Sequence, residues 1–335
     1  VSRRTTLLAA LAVGVTLVPL TACGSEDAAA ENAAADGAAA GAFPVTIDHL
    51  WGSTTIEEEP ERVVVLGVTD SDPVLALGTV PVAVQPYTFY SETGVGPWAE
   101  EYLQGQELEV IPSTGEVDVE QVAAYDPDLI VGVSAGFDEA VYEQLSQIAP
   151  TLVRPAGTRA YGVPRDDATR MIARALGKED EAEELIAEAD AAVADAVAEN
   201  PQFQGATATV LLPFSGVYGA YLPADARGQF MTELGFEVPA PILAEDDGET
   251  FYVELSQERL DLADGDVLVV LTDEASRAVV EQDAVLQQLP VVQDGGLVLP
   301  DLDVRGAMTY NTVLSAPYAV EELTPLLRDA LAATS

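Results

Sequence analysis

Aromatic side chains and arginines carry most of the chemistry that this sequence offers. Tyr87, Phe89 and Tyr90 share one short stretch, Phe137 follows a hydrophobic run, and Phe214, Tyr218 and Tyr221 crowd another. Such residues give a binding site an apolar wall with hydrogen-bonding tips, and the same residues also build ordinary cores. Basic residues are scarce, 14 Lys+Arg against 57 Asp+Glu with Lys178 the only lysine, so their placement is informative. Arg154, Arg159 and Arg165 bracket Tyr161, Arg227 opens a helical pattern, and Arg305 precedes Tyr310. A guanidinium is a planar donor of several hydrogen bonds, suited to an oxygen-rich ligand. With so many acids present, a surface ion pair is the alternative for each arginine.

Catalytic and metal-binding patterns are missing. The single histidine, His49, lies beside Trp51 and reads as structural, whereas nucleophilic triads need a usable base. There is no HExxH, CxxC, GxxxxGK[ST] or EF-hand loop. Direct capture of zinc or manganese would recruit several histidines. Asp70-Ser71-Asp72 reads as a helix N-cap and turn. No metal, cofactor or catalytic residue is assigned. The formal net charge of −43 excludes nucleic acid as a partner, since phosphates would be repelled. With 48% hydrophobic residues, the chain is expected to fold beneath a strongly acidic surface.

The elements that must position these residues alternate in type. Strands are expected over 62–67, 81–84, 129–133 and 152–153, with helices over 72–77, 119–125, 138–148 and 165–176, after a short hairpin at 45–57. Alternation of this kind favours a parallel sheet with crossover helices. Further strands are expected over 206–212, 217–222 and 266–271, helices over 227–234, 254–260 and 314–331, and a closing strand unit over 289–299. Between the two halves, Ala182, Leu185, Ile186, Ala189, Val193 and Val197 form one apolar helical stripe ended by Pro201. The expected fold is α/β, two Rossmann-like lobes joined by one long helix with a ligand cleft between them. Ligands of open α/β sheets bind beyond the carboxyl ends of strands. That rule selects the turn at 67–72, the loop at 87–90, residues 134–137, residues 214–221 and the turn at Thr272.

The chain begins with Arg3 and Arg4, then a 14-residue apolar run over 7–20, short for a membrane span and right for a signal peptide. Leu20-Thr21-Ala22-Cys23 resembles the bacterial lipobox, which implies lipidation at Cys23, the only cysteine. The expected division is a signal peptide over 1–22, a lipidated cysteine and flexible tether over 23–42, a first lobe over 43–178, an interlobe helix over 179–200 and a second lobe over 201–335.

Ordered motifs extend this reading. Gly52-Ser53-Thr54-Thr55-Ile56, Pro60-Glu61-Arg62-Val63-Val64-Val65-Leu66, Ala76-Leu77-Gly78, Asp126-Pro127-Asp128-Leu129-Ile130, Ile148-Ala149-Pro150-Thr151 and Leu234-Gly235-Phe236 follow in sequence. Their order resembles the ferric-siderophore-binding lipoproteins of ABC importers, a periplasmic-binding-protein-like family in which a rigid helix joins the lobes. The resemblance implies a monomeric, non-enzymatic receptor on the outer face of the cytoplasmic membrane, whose partners are a ferric siderophore and the permease subunits. The same scaffold binding haem or a cobalamin is the alternative. The candidate ligand contacts, chosen by residue type and position and not carried over one by one from the family, are Tyr87, Tyr90, Phe137, Tyr161, Arg165, Phe214, Tyr218, Tyr221, Arg227, Arg305 and Tyr310. The resemblance also implies permease docking through Glu120 and Glu258. The acidic chain favours a neutral or cationic chelate, such as a hydroxamate, over a trianionic catecholate.

Overall fold

Runs of valine, isoleucine and leucine form the central strands of two sheets, because strands covered on both faces need no polar alternation. The computed structural model describes residues 42–112 and 116–335; the leader, Cys23 and most of the expected tether lie outside them. A hairpin of β1 (Val45–His49) and β2 (Gly52–Ile56) comes first. Then follow β3 (Val63–Val65), α1 (Ser71–Ala76), β4 (Ala83–Val84), α2 (Val119–Ala124), β5 (Leu129–Gly132), α3 (Glu139–Leu145) and β6 (Thr151–Val153). The strands of this half pair in the order β4-β3-β5-β6, all parallel.

Helices α4 (Arg165–Leu176) and α5 (Glu179–Glu199) lead to the second half. It contains β7 (Ala208–Phe214), β8 (Val217–Tyr221), α6 (Ala226–Glu233), α7 (Ala240–Leu243), β9 (Tyr252–Leu255), β10 (Val267–Val270), α8 (Glu274–Gln282), α9 (Pro290–Gln293), β11 (Leu297–Val298), α10 (Leu302–Tyr310) and α11 (Ser315–Thr334). Its sheet order is β11-β10-β7-β8-β9. β10 is parallel to β7 and β11, while β8 is antiparallel to both its neighbours. The β7–β8 hairpin turns at Ser215 and Gly216, both at positive φ, the backbone that a two-residue hairpin of matching twist requires.

Helix α5 is the expected joining helix. Its 21 residues bury Ala182, Ile186, Ala189, Val193 and Ala196 and pack against α4 of one half and α11 of the other. At 1.5 Å per residue it spans roughly 30 Å. Asn200 ends it, its side-chain amide donating to the Ala196 carbonyl at 2.8 Å, and Pro201 follows.

Three expected elements are corrected. Residues 254–260 do not open a helix: Val253 and Leu255 are buried and Glu254 is exposed, a period of two that makes β9, and a 3₁₀ stretch begins at Gln257. The segment beginning at Leu289 is helical, since Pro290 at the first helical position is preset for a helix, and only Leu297–Val298 forms a strand. Asp70 occupies the N-cap position of α1 without capping it. Its buried carboxylate accepts from the Ser134 backbone N–H at 3.1 Å, tying the end of β3 to the end of β5. Gly67 makes room for this, because a Cβ there would lie 1.8 Å from Asp70 Oδ2.

The two halves share a core. One hydrophobic cluster runs from Leu75, Tyr87 and Trp98 through Ile186 and Val193 to Tyr310, Val313 and Leu323. Inside it sits a charge. The fully buried Asp72 Oδ2 accepts from Trp98 Nε1 at 2.8 Å and from the Thr312 hydroxyl, 240 residues away in sequence. Thr312 Oγ1 in turn accepts from the Ser315 backbone N–H at 3.0 Å at the start of α11, so the hydroxyl donates and accepts in one polarised chain. Burial pushes the carboxyls of Asp72 and Asp70 up to about 6, despite hydrogen bonds that favour the charged form. Each group therefore stabilises the fold more when protonated. That contribution is complete below the unfolded carboxyl value near 4 and is lost as pH rises through about 6.

Asparagine at position 72 would offer an oxygen to Trp98 and Thr312 without a charge. We expect Asp72→Asn to flatten the decline in unfolding free energy between about pH 4 and pH 7, with Asp70 supplying the slope that remains. Urea melts at several pH values measure this, and a slope equal to wild type would contradict the assignment.

Candidate functional site at the lobe junction

Two arginines take their orientation from short local motifs. Asp225 caps α6, accepting from the Arg227 backbone N–H at 2.9 Å. The same carboxylate grips the Arg227 guanidinium with two bonds, Nε to Oδ1 at 2.6 Å and Nη2 to Oδ2 at 2.7 Å. Arg227 lies 3.6 Å over the Tyr221 ring and donates to a tyrosine hydroxyl, that of Tyr221, at 2.7 Å. Gly228 lets α6 start this close to β8, since a Cβ there would fall 2.1 Å from the Leu222 carbonyl oxygen.

Arg165 opens α4, with its side chain only 7% exposed. It donates to Asp166 at 3.1 Å and to Asp190 of α5 at 2.8 Å, and it lies 3.7 Å from Glu233 of α6. Nη1, the nitrogen that faces Glu233, also donates to Asn311 Oδ1 at 3.5 Å. One guanidinium thus ties α4, α5, α6 and the end of α10 together. Burial pushes the Glu233 carboxyl up, and Arg165 opposes this.

These residues border a cavity of about 510 Å³. The first half contributes Val68, Thr69 and Pro73 after β3, Ser134 after β5, and residues 161–165 entering α4. The second contributes residues 223–227 entering α6, Phe251 before β9, and residues 309–312 at the end of α10. In the first half, then, the cavity lies beyond strand carboxyl ends, as expected. Tyr161 stands at positive φ and is 61% exposed, its hydroxyl where a Cβ on Gly136 would lie, 2.1 Å away. That glycine leaves room for the ring. Across the gap, Arg159 donates to the Gly248 carbonyl at 2.6 Å, bridging the halves.

Of the residues singled out in the sequence, Tyr161, Arg165, Arg227 and Tyr310 line the cavity. Tyr221 stands directly behind Arg227. Arg305 lies 4.3 Å over the Phe89 ring, outside the lining. The others are placed elsewhere. Tyr87 is fully buried in the shared core, stacked on Tyr310 at 3.9 Å, and Tyr90 donates to Asp303 at 3.0 Å. Phe137 stacks near Trp51 at 6.4 Å, with the Arg154 guanidinium 5.4 Å from the same indole. Phe214 meets Tyr252 edge-on, and Tyr218 donates to Asp283 at 2.7 Å. His49 is structural as expected, buried and hydrogen-bonded to Thr54 at 2.9 Å. Sequence reasoning missed Thr309, Asn311, Thr312, Phe251 and Gln229. The one available signal was the left-handed Asn311 ending α10 after an Asp301 cap.

Residues 63–300 match the periplasmic binding protein family. The chain belongs to that family. Among solved structures, this periplasmic binding protein is similar to a periplasmic solute binding protein from Mycobacterium smegmatis, at 32% identity and TM-score 0.76, over 86% of this chain and 98% of that one. The probable siderophore-binding lipoprotein YfiY of Bacillus subtilis is 29% identical over 79% of this chain and 78% of its own length. The Fe(3+)-citrate-binding protein YfmC of the same organism is 27% identical over 75% and 76%. The family is one of substrate-binding proteins. Among the described residues of this member, no helix is long and apolar enough to cross a membrane, and no group of three His, Cys, Asp or Glu side chains is placed to hold a metal ion.

Because Arg165 is buried among carboxylates, Arg165→Met strands Asp166, Asp190 and Glu233 together. We expect a loss of about 2 kcal/mol of unfolding free energy at neutral pH, below the roughly 3–5 kcal/mol of a fully buried broken pair because Asp190 is half exposed. The loss should shrink on acidification as Glu233, whose carboxyl burial pushes up, protonates. An unchanged denaturation midpoint would show that the cluster adds nothing to the lobe junction.

Proposed function

We propose that this chain is an extracytoplasmic receptor that captures a ferric siderophore and delivers it to an ABC importer, with no catalytic step. The observation that carries the reading is the preformed cavity at the lobe junction. Its roughly 510 Å³ are walled by Tyr161, Phe251 and Tyr310, with Arg227 held in place by Asp225. Cavities of this size suit a compact chelate. The names of the relatives point to the same cargo: one is a probable siderophore-binding protein and another binds Fe(3+)-citrate. Iron would arrive inside its chelate, with no protein side chain as a direct ligand. Tyr161, Arg227 and Tyr310, backed by Tyr221, are the contacts we assign to it.

In this reading the boundaries expected from sequence define the working parts, with lobes over 43–178 and 201–335 held by the helix between them. Cys23 would anchor the receptor to the membrane. Glu120 and Glu258 would dock it on the permease. Glu120 lies exposed in the first turn of α2, before β5, and Glu258 lies exposed in the first turn of the 3₁₀ stretch before β10. Two widely separated charge contacts of this kind set orientation and encounter rate.

A ferric siderophore should raise the melting temperature, by about 2.7 kcal/mol of apparent stability at a hundredfold excess over Kd, while ferric ion alone does much less. Stabilisation by haem or a cobalamin with no response to any ferric siderophore would replace the cargo. For delivery, Glu120→Ala/Glu258→Ala should leave chelate affinity intact and lower uptake, and Cys23→Ser should lower uptake by releasing the protein from the membrane. Wild-type uptake by both variants would overturn the docking and anchoring assignments.

A further inference from the structure

Taking the cavity as the site of a ferric chelate, we infer that it accepts complexes of zero or positive net charge and rejects multiply anionic ones. Three hydroxamates carry three negative charges and exactly balance iron(III), whereas three catecholates carry six and leave a trianion. The site should therefore select by charge class before it selects by shape.

The argument is a charge balance. Arg165, Arg227 and Asp225 are the charged side chains in the lining. Neither arginine has charge to spare. Asp225 meets Arg227 with both oxygens. Asp166, Asp190 and Glu233 all stand within 4 Å of Arg165. Four carboxylates thus face two guanidiniums at the wall. A guanidinium has five N–H groups, so Arg227 keeps donors for a carbonyl or hydroxamate oxygen after its three bonds to Asp225 and Tyr221 are made. A neutral complex could use those donors without asking for a counterion. An anion would find no uncompensated positive charge in the lining.

Arg159, 5.9 Å from the ring of the lining residue Phe251, and Arg305, against the Phe89 ring, are nearby cations outside the lining that no carboxylate approaches within 4 Å among the described residues. Together they supply at most two charges against a trianion. Much of the remaining wall is apolar, including Val68, Pro73, Val163, Pro164, Pro223 and Phe251. Such a surface solvates a multiple anion poorly. Over longer range the net charge of −43 repels anions too, although salt screens that effect beyond about 8 Å.

The test is a set of affinities by tryptophan quenching and calorimetry on the purified protein, at about 0.15 M salt and again at high salt. The probes are a neutral ferric trihydroxamate, the cationic ferric complex of desferrioxamine B, and the trianionic ferric tris-catecholate of enterobactin. The neutral and cationic complexes should bind at least about a hundredfold more tightly than the trianion, a gap of about 2.7 kcal/mol, and high salt should not close it. Asp225→Asn keeps a side chain able to cap α6 and releases the charge of Arg227, so it should narrow the gap by about tenfold. Asp190→Asn, at a half-exposed position, should act in the same direction through Arg165. Equal or tighter binding of the catecholate by the wild-type protein overturns the charge selection alone, as does a gap that neither variant changes. Failure of every ferric complex to bind overturns the receptor reading and this inference with it.

Discussion

Asp72 is a carboxylate placed where water cannot reach it, and the junction of the two lobes is arranged around holding it. Trp98 from one half and Thr312 from the other donate to the same oxygen, and the Thr312 hydroxyl also serves the start of α11. An isolated charge in such a place would be prohibitive. It persists because both donors are themselves fixed, the indole among Tyr87, Tyr90, Tyr310 and Tyr318, and Thr312 by reciprocal bonds with Ser315. Thr312 also borders the cavity, so the residue that joins the lobes helps to shape the space between them.

Arg165 has a similar role closer to the cavity. A guanidinium lining a binding site invites the conclusion that it waits for an anion. Here α4, α5 and α6 each present it with a carboxylate. The charge is spent on geometry. Together with helix α5, which packs against elements of both halves, and the shared hydrophobic cluster, these polar links make a frame around the cavity. Sites held in place by their own frame lose less conformational entropy on binding.

The frame itself was largely legible in the sequence. The stripe from Ala182 to Val193 and the valine run at 63–65 carry periodicities that do not depend on distant partners, and α5, β3 and α4 fall where they were expected. β9 and α9 were misread where short segments mixed signals, Glu254 to Leu260 on one side and Leu289 to Val292 on the other. At the site, position past a strand end identified Thr69 and Ser134 but could not separate them from Tyr87, which follows β4 and turns into the shared core. Asp72 and Thr312 meet across 240 residues, and no local pattern announces such a contact. The arginines were recognised, but their partners Asp190 and Glu233 were hidden among 57 acids until the fold brought them together.

The central claim is that a fixed, charge-compensated junction receives the chelate between Tyr161, Arg227 and Tyr310. A crystal structure of the protein bound to a neutral ferric trihydroxamate, with iron located by its anomalous scattering, tests this most directly. The account predicts iron inside the cavity, no side chain within bonding distance of it, and Arg165 still paired with Asp166 and Asp190. Iron outside the cavity, or Arg165 released from its carboxylates to meet the chelate, would contradict it.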